Sequence, residues 1–119
     1  MEATMEHIRN TGVDHVPALK HYLEQQQIPY TIDSVKHNKQ EVLDIEIDAF
    51  SGITVDEDMA MLAIYDPKII PRITLDRMEP YCLVRHCERN CTVLSVHPDV
   101  GEDLIDQYKL LVNFYHSII

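Results

Sequence analysis

The sequence predicts an α+β fold, in which an antiparallel sheet of four to five strands is flanked by an N-terminal and a C-terminal helix. Two observations lead to this prediction. Apolar residues recur at helical spacing near each end of the chain. Between these segments they alternate with polar residues, as in strands that bury one face and expose the other.

The length of the chain indicates a single domain that covers residues 1–119. A chain of 119 residues is close to the commonest domain size, and it can bury roughly two thirds of the surface that its unfolded form exposes. Hydrophobic residues make up 45% of the chain and charged residues 25%, which is ordinary globular usage. We therefore expect one hydrophobic core that needs no disulfide or metal.

Two helices are predicted in the N-terminal part of the chain. Residues 1–10 are interpreted as a short helix. A clearer pattern follows, because Asp14 is a suitable N-cap, Pro17 fits a first turn, and apolar side chains then recur at helical spacing. Pro29 is expected to end this second helix.

The middle of the chain is predicted to form strands. Residues 30–33 and 43–49 alternate between apolar and polar side chains, with a polar turn at 36–40 between them, so we expect a hairpin with one face in the core. The remaining predicted elements are a turn at Ser51-Gly52, strands at 59–65, 69–75 and 92–96, and a helical segment that opens at Pro80 and continues through Leu83 and Val84.

The C-terminal helix is predicted from its cap and from its apolar face. Asp99 and Glu102 have the spacing of a capping box. Beyond them, apolar residues from Leu104 to Ile118 fall on one broad face. Such a face must be buried against the sheet or against another chain.

Acidic residues dominate one segment of the chain. The sequence has 20 acidic and 10 basic residues, a formal net charge of −10, which disfavours nucleic acids and anionic membranes as partners because both repel such a surface. No lysine or arginine lies between Lys39 and Lys68. The acids in that interval are Glu41, Asp44, Glu46, Asp48, Asp56, Glu57, Asp58 and Asp66. Plain solubility accounts for such a block, and so does a face that binds a basic partner.

Three of these acids, Asp44, Glu46 and Asp48, alternate with apolar residues inside the clearest predicted strand. Alternation directs their carboxylates to the same side, roughly 6.5 to 7 Å from one to the next. A basic protein that meets this surface would be attracted by several carboxylates at once. The predicted partner-binding residues are Asp44, Glu46, Asp48, Asp56, Glu57 and Asp58.

Two metal-binding alternatives start from the same acids. An EF-hand loop needs a glycine at its sixth position and a glutamate at its twelfth, where this chain has Ala49 and Val55, so we set it aside. The Asp-x-Glu of Asp44 and Glu46 resembles the first motif of the DEDD exonucleases, which holds two catalytic metals. That resemblance covers only three residues and implies a small metal-dependent nuclease or hydrolase, although the segment has no basic residue to hold nucleic acid.

Cysteine and histidine residues cluster between positions 82 and 91. The weak candidates for zinc ligands are Cys82, His86, Cys87 and Cys91. Their spacing departs from the paired Cys-x-x-Cys of structural zinc sites, so we prefer reduced cysteines packed in the fold and predict no cofactor. The His86-Cys87 pair also lacks the arginine of a phosphatase loop, because Val93 stands at that position.

The leading functional hypothesis is a small acidic, non-enzymatic protein that binds one specific basic protein as an inhibitor or an escort chaperone. Its size, charge and order of elements are shared with immunity proteins, phage-encoded inhibitors of host defence and secretion chaperones. A homodimeric structural subunit that pairs through the C-terminal helix is a further alternative. Three cysteines, an odd number, together with a polar N-terminus that does not read as an export signal, predict a cytoplasmic location.

Overall fold

Helices from both ends of the described chain pack into one core on an antiparallel sheet. The computed structural model describes residues 15–35, 41–56, 59–88, 91–100 and 103–119. The helix predicted at 1–10 and the turn predicted at 36–40 lie outside these residues, as do Glu57 and Asp58.

The described elements begin and end with a helix, as predicted, and the strands lie between these two helices. In chain order they are α1 (His15–Gln25), β1 (Thr31–Val35), β2 (Glu41–Asp48), β3 (Ser51–Asp56), β4 (Met59–Ile64), a 3₁₀ turn (Ile70–Arg72), α2 (Leu75–Met78), a second 3₁₀ turn (Glu79–Tyr81), β5 (Leu83–Cys87), β6 (Thr92–Val96), a third 3₁₀ turn (Pro98–Val100) and α3 (Leu104–Ile118). The sheet has six strands in the order β1-β2-β3-β4-β6-β5, and each neighbouring pair is antiparallel. The α+β prediction is confirmed, with slightly more strands than expected.

α1 ends through a left-handed turn that comes before Pro29. Its buried stripe consists of Val16, Leu19 and Leu23. Gln27 has a φ of 61°, and the Ile28 amide donates to the Leu23 carbonyl at 2.8 Å. This arrangement is a Schellman motif, which satisfies the last helical carbonyls. The helix has therefore already ended when the chain reaches the proline.

The turn predicted at Ser51-Gly52 is wrong, because these residues begin β3. The chain reverses at Ala49 and Phe50 instead. Asp48 Oδ1 accepts the Phe50 amide at 2.8 Å and the Ser51 hydroxyl at 2.8 Å. A carboxylate that bonds the backbone two residues later stabilises this kind of tight reversal.

The strand predicted at 69–75 is also wrong. This segment forms the 3₁₀ turn at 70–72 and then enters α2. The amides of Ile69 and Ile70 donate to the Asp66 carbonyl at 3.0 and 3.1 Å. Pro71 has no N–H to donate to a strand ladder. Local hydrogen bonds therefore take the place of strand pairing.

The helical segment predicted from Pro80 ends earlier than expected. The 3₁₀ turn covers Glu79–Tyr81, whereas Leu83 and Val84 belong to β5. Between them, Cys82 has a left-handed φ of 55°. This residue turns the chain from the helical segment into the edge strand.

The N-cap of α3 lies four residues beyond the predicted one. Asp103 Oδ1 accepts the Asp106 amide at 2.9 Å, which is the usual bond of an N-cap aspartate. Asp99 lies in the 3₁₀ turn at 98–100, and Glu102 lies outside the described residues. The predicted helix is present, but its cap was misplaced.

The apolar face of α3 is buried within the chain itself. Its buried residues are Leu104, Tyr108, Leu111, Phe114, Tyr115 and Ile118. Phe114 lies edge-on to Tyr81, with 5.4 Å between ring centroids. The sequence left open whether the sheet or a second chain buries this face, and in the described structure it packs against the sheet.

The two faces of the sheet differ in composition. The inner face contributes to the core and includes the buried residues Leu43, Ile45, Ile53, Val55, Ala60, Leu62, Ile64 and Leu94. The outer face carries the alternate residues, which include Asp44, Glu46, Gly52, Thr54, Asp56, Met61, Ala63 and Val93. These outer residues are partly or fully exposed, so no described element covers this part of the outer face.

Candidate binding site on the outer face of the sheet

Asp44 and Glu46 project from the outer face in the middle of β2. In the antiparallel register Asp44 lies between Thr31 of β1 and Thr54 of β3, and Glu46 lies beside Gly52 of β3. Residues that oppose each other in this way share one face of a sheet. Both side chains are exposed and are directed away from the core.

The two carboxylates differ from neighbouring acids because they lack a counter-charge within the described part of the chain. Glu41, also on β2, accepts a hydrogen bond from Lys20 Nζ at 2.6 Å. Glu24 accepts one from the Tyr30 hydroxyl at 2.7 Å. Among the described residues, no comparable ion pair or hydrogen bond engages the carboxylates of Asp44 and Glu46. Their two charges lie side by side and repel each other.

A depression adjoins these acids on the β1 side. It has a volume of about 430 Å³ and is lined by Pro29, Tyr30, Thr31, Asp44, Glu46 and Ile47. We call it the β1-side depression. Its volume lies in the range of small binding sites, and its two charged lining residues are both acids.

A second depression lies on the other side of the same acids, over β3. It has a volume of about 340 Å³, and we call it the β3-side depression. Gly52 of β3 is paired with Ala63 of β4. Because both side chains are small, space remains between Glu46 and the half-exposed Tyr65. Asp44 and Glu46 therefore form an acidic ridge between two hollows.

Asp48 does not continue the ridge, contrary to the prediction that three carboxylates share one side. The register of β2 shifts between Glu46 and Asp48, and such a β-bulge changes the direction of the residues that follow it. Asp48 Oδ2 accepts a hydrogen bond from the Tyr115 hydroxyl of α3 at 2.5 Å. The Asp48 carboxylate is thus bound to α3, although Asp48 remains exposed and also lines the β3-side depression.

The hydrogen bonds of Asp48 change its proton affinity. Partial burial by itself would raise the pKa of this carboxyl, but the donors Tyr115, Phe50 and Ser51 together outweigh it and hold the pKa below its ordinary value. Burial, and then the bond to Asp48, raise the pKa of the Tyr115 hydroxyl. The pair therefore persists as a carboxylate and a neutral phenol at neutral pH.

Asp56 ends β3 on the same face as the ridge. It pairs with Met59 of β4 and follows Thr54 by two residues, so it lies one row further along the outer face. Asp56 is only partly exposed. The structure therefore brings Asp44, Glu46 and Asp56 to one face. Asp48 also lines the β3-side depression, but its carboxylate is hydrogen-bonded to α3.

The candidate zinc ligands are spread along the β5–β6 hairpin. Cys82 precedes β5, and its carbonyl accepts the His97 amide at 2.8 Å. Cys91 lies at the opposite end of the hairpin, where its carbonyl accepts the Glu88 amide at 3.1 Å. In the parts of the chain that the structure describes, no three side chains of His, Cys, Asp or Glu converge as a metal site would require.

His86 makes a contact on the outer face that does not form a catalytic site. Its Nε2 lies 3.3 Å from Ser95 Oγ, a distance typical of a nucleophile and its base. Ser95 is only 3% exposed, so its hydroxyl cannot reach a substrate. The pair links the exposed His86 of β5 to the buried Ser95 of β6.

The sequence did not identify the neutral residues that shape the two depressions. Pro29, Tyr30 and Thr31 line the β1 side, whereas Gly52 opens the β3 side. One signal was present, because a glycine inside an alternating segment often marks a close approach or a missing side chain. The same Ser51-Gly52 pair is also typical of a turn, which is the element that the sequence predicts there.

No protein-family model matches this sequence, and no curated protein or solved structure is significantly similar to it. Within the described residues, no helix has the length and apolar character that crossing a membrane requires.

Proposed function

We propose that this chain is a small acidic, non-enzymatic binding protein that inhibits or escorts one basic protein, and that Asp44 and Glu46 make the contact. The supporting observation is the acidic ridge. Its two exposed carboxylates stand between two depressions without a counter-charge among the described residues. Like charges side by side contribute nothing favourable to folding, whereas a cationic side chain of a partner would neutralise both.

The charge of the whole chain supports the same class of partner. A net charge of −10 accelerates the approach of a basic protein and repels nucleic acids and anionic membranes. A lysine or arginine of the partner could pack its long apolar stem in one of the depressions and place its charge against the ridge. Such a contact excludes water from the charges and would give specificity. We also propose a cytoplasmic location, where the three cysteines stay reduced.

The test compares the native protein with two variants of equal charge. Asp44→Asn/Glu46→Gln removes the ridge charges, and Glu79→Gln/Glu88→Gln removes two exposed charges far from it. Each protein serves as bait in lysate of the source cells, and the affinity of any retained protein is then measured by calorimetry. We expect the native protein and the control to retain the same basic protein. The ridge variant should bind it about tenfold more weakly or worse.

Two outcomes would contradict the proposal. Equal binding to all three baits would show that the ridge is irrelevant to recognition. The absence of a stoichiometric partner with any bait would show that the chain is not an inhibitor or escort of the proposed kind.

The alternative functions have less support. A metal-dependent hydrolase would need further ligands beside Asp44 and Glu46, and the described residues bring no third one to them. The homodimer through α3 was suggested by the apolar face of that helix, which the chain's own sheet buries. No observation therefore favours either over the binding protein.

A further inference from the structure

Among the described residues, β1 is an edge strand of the sheet. It pairs with β2 on one side only, and all five of its residues are exposed. Ile32 and Val35 remain 46% and 60% exposed, so the strand buries little apolar surface. On the edge of β1 that is directed away from β2, alternate backbone N–H and C=O groups have no neighbouring strand in the described chain. Such groups can pair with an added strand.

The opposite edge, β5, is less suited to a basic partner. Leu83 and Val84 are partly buried, and the Arg85 guanidinium donates to the Ile73 carbonyl at 2.9 Å. This strand contains Arg85 and His86 and no acidic residue. A basic segment would therefore favour β1 over β5.

The β1-side depression lies where β1 begins. Tyr30 and Thr31 form its wall on the β1 side, and Asp44 and Glu46 form its charged wall on β2. The register shifts between Ile32 and Ser34, and a bulge of this kind interrupts regular pairing further along an edge. An added strand would thus pair best beside the start of β1, next to the depression.

Strand geometry decides which side chain can reach the acids. An added strand would lie about 4.8 Å from β1 and therefore roughly 9.6 Å from β2. Its residue opposite Thr31 would project from the same face as Thr31 and Asp44, in the row that these two residues form. Across that distance, only a long side chain with a positive end can both pass over the small Thr31 and meet the carboxylates.

We propose that an extended basic segment of the partner adds to β1 as a seventh strand and places one lysine or arginine over Thr31, against Asp44 and Glu46. This inference rests on the proposed function, because it specifies how the same two acids meet the basic partner. Main-chain hydrogen bonds to β1 would supply affinity, and the cation in the β1-side depression would supply specificity.

The first experiment obtains a probe and locates it. A random nonapeptide library displayed on phage is selected on the native protein, and the best peptide is synthesised. We expect selected peptides to combine β-branched residues with one lysine or arginine. Amide hydrogen exchange by NMR should then show that the β1 amides directed away from β2, which have no strand partner among the described residues, become protected in the complex, while β5 amides do not change. Failure to select any peptide, or protection elsewhere without β1, would overturn the inference.

Two substitutions at one exposed position test the cation. Thr31→Arg places a guanidinium of this chain over Asp44 and should lower peptide affinity by about tenfold or more. Thr31→Val keeps the branched shape without the charge and should change affinity less than about threefold. Thermal unfolding confirms that both variants fold. Equal affinity of the two variants would overturn the proposed position of the cation.

The ridge variant separates this inference from the proposed function. If Asp44→Asn/Glu46→Gln abolishes peptide binding but β1 gains no protection in the native complex, the added strand is wrong and the acidic contact stands. If β1 gains protection and the ridge variant binds equally well, the added strand stands and the acidic contact is wrong.

Discussion

The hydroxyl of Tyr115 donates a hydrogen bond of 2.5 Å to the Asp48 carboxylate, which lies 67 residues earlier in the chain. The bond joins the end of α3 to the end of β2, beside the acidic ridge. Asp48 also accepts bonds from Phe50 and Ser51. Two acids of the same strand therefore differ: Asp44 is exposed without an ion pair among the described residues, whereas Asp48 is hydrogen-bonded to α3 and to the turn.

Asp48→Asn tests the structural role of this acid. The substitution removes the charge that three donors share, and one of its two polar atoms becomes a donor. Hydrogen bonds to charged groups contribute more than neutral ones, but Asp48 is exposed, so we expect the free energy of unfolding to fall by about 1 kcal/mol. Asp44→Asn, the matched control, should change it by less than about 0.5 kcal/mol. Urea unfolding measures both, and a larger loss in the control would contradict the assignment.

The titration of Asp48 should make the stability of the protein depend on pH. Because the folded pKa of Asp48 lies below its ordinary value, its contribution is present above the unfolded pKa of about 4 and is lost as the pH falls through the folded pKa. The difference in unfolding free energy between the native protein and Asp48→Asn should therefore shrink as the pH is lowered from 7 to 3. A difference that stays constant with pH would show that the charge of Asp48 does not matter.

Phe114 tests the attachment of α3 to the core. Its side chain is fully buried and lies edge-on to Tyr81. Phe114→Ala should lower the free energy of unfolding by about 3 to 5 kcal/mol, because it removes buried apolar surface and leaves a cavity. Asn113→Ala, on the exposed side of the same turn, should change it by less than about 0.5 kcal/mol. Chemical denaturation compares the two, and similar losses would indicate that the helix packs differently.

Hydrophobic periodicity was sufficient to predict α1, α3 and four of the six strands, but not the segments whose conformation depends on local hydrogen bonds. β3 was missed although Ile53 and Val55 alternate with polar residues, because Ser51-Gly52 is a frequent turn pair. The actual reversal depends on Asp48, whose carboxylate accepts hydrogen bonds from the Phe50 amide and the Ser51 hydroxyl. Such a bond depends on three-dimensional geometry and leaves no periodic pattern in the sequence.

The candidate site was partly predictable for the same reason. Alternation correctly placed Asp44 and Glu46 on one exposed face, because strict period-two geometry holds through that part of β2. It failed at Asp48, since a single extra residue in the strand redirects every side chain beyond it. The depressions were not predictable, because they arise from neighbours on β1, β3 and β4 that only the strand register brings together.

Gly52→Ala decides which of the two depressions the partner uses. A Cβ added at Gly52 would lie 4.0 Å from Asp44 Oδ1 and 3.3 Å from the Ile45 carbonyl oxygen, so it would partly fill the β3-side depression without changing any charge. The close backbone contact opposes the gain that glycine replacement brings through the unfolded chain, and the net change in stability should stay within about 1 kcal/mol. If the cation lies over Thr31, this variant should keep its affinity for the selected peptide within about threefold, whereas Thr31→Arg should not. Titration calorimetry on both variants gives the answer, and the reverse pattern would place the cation over Gly52 instead.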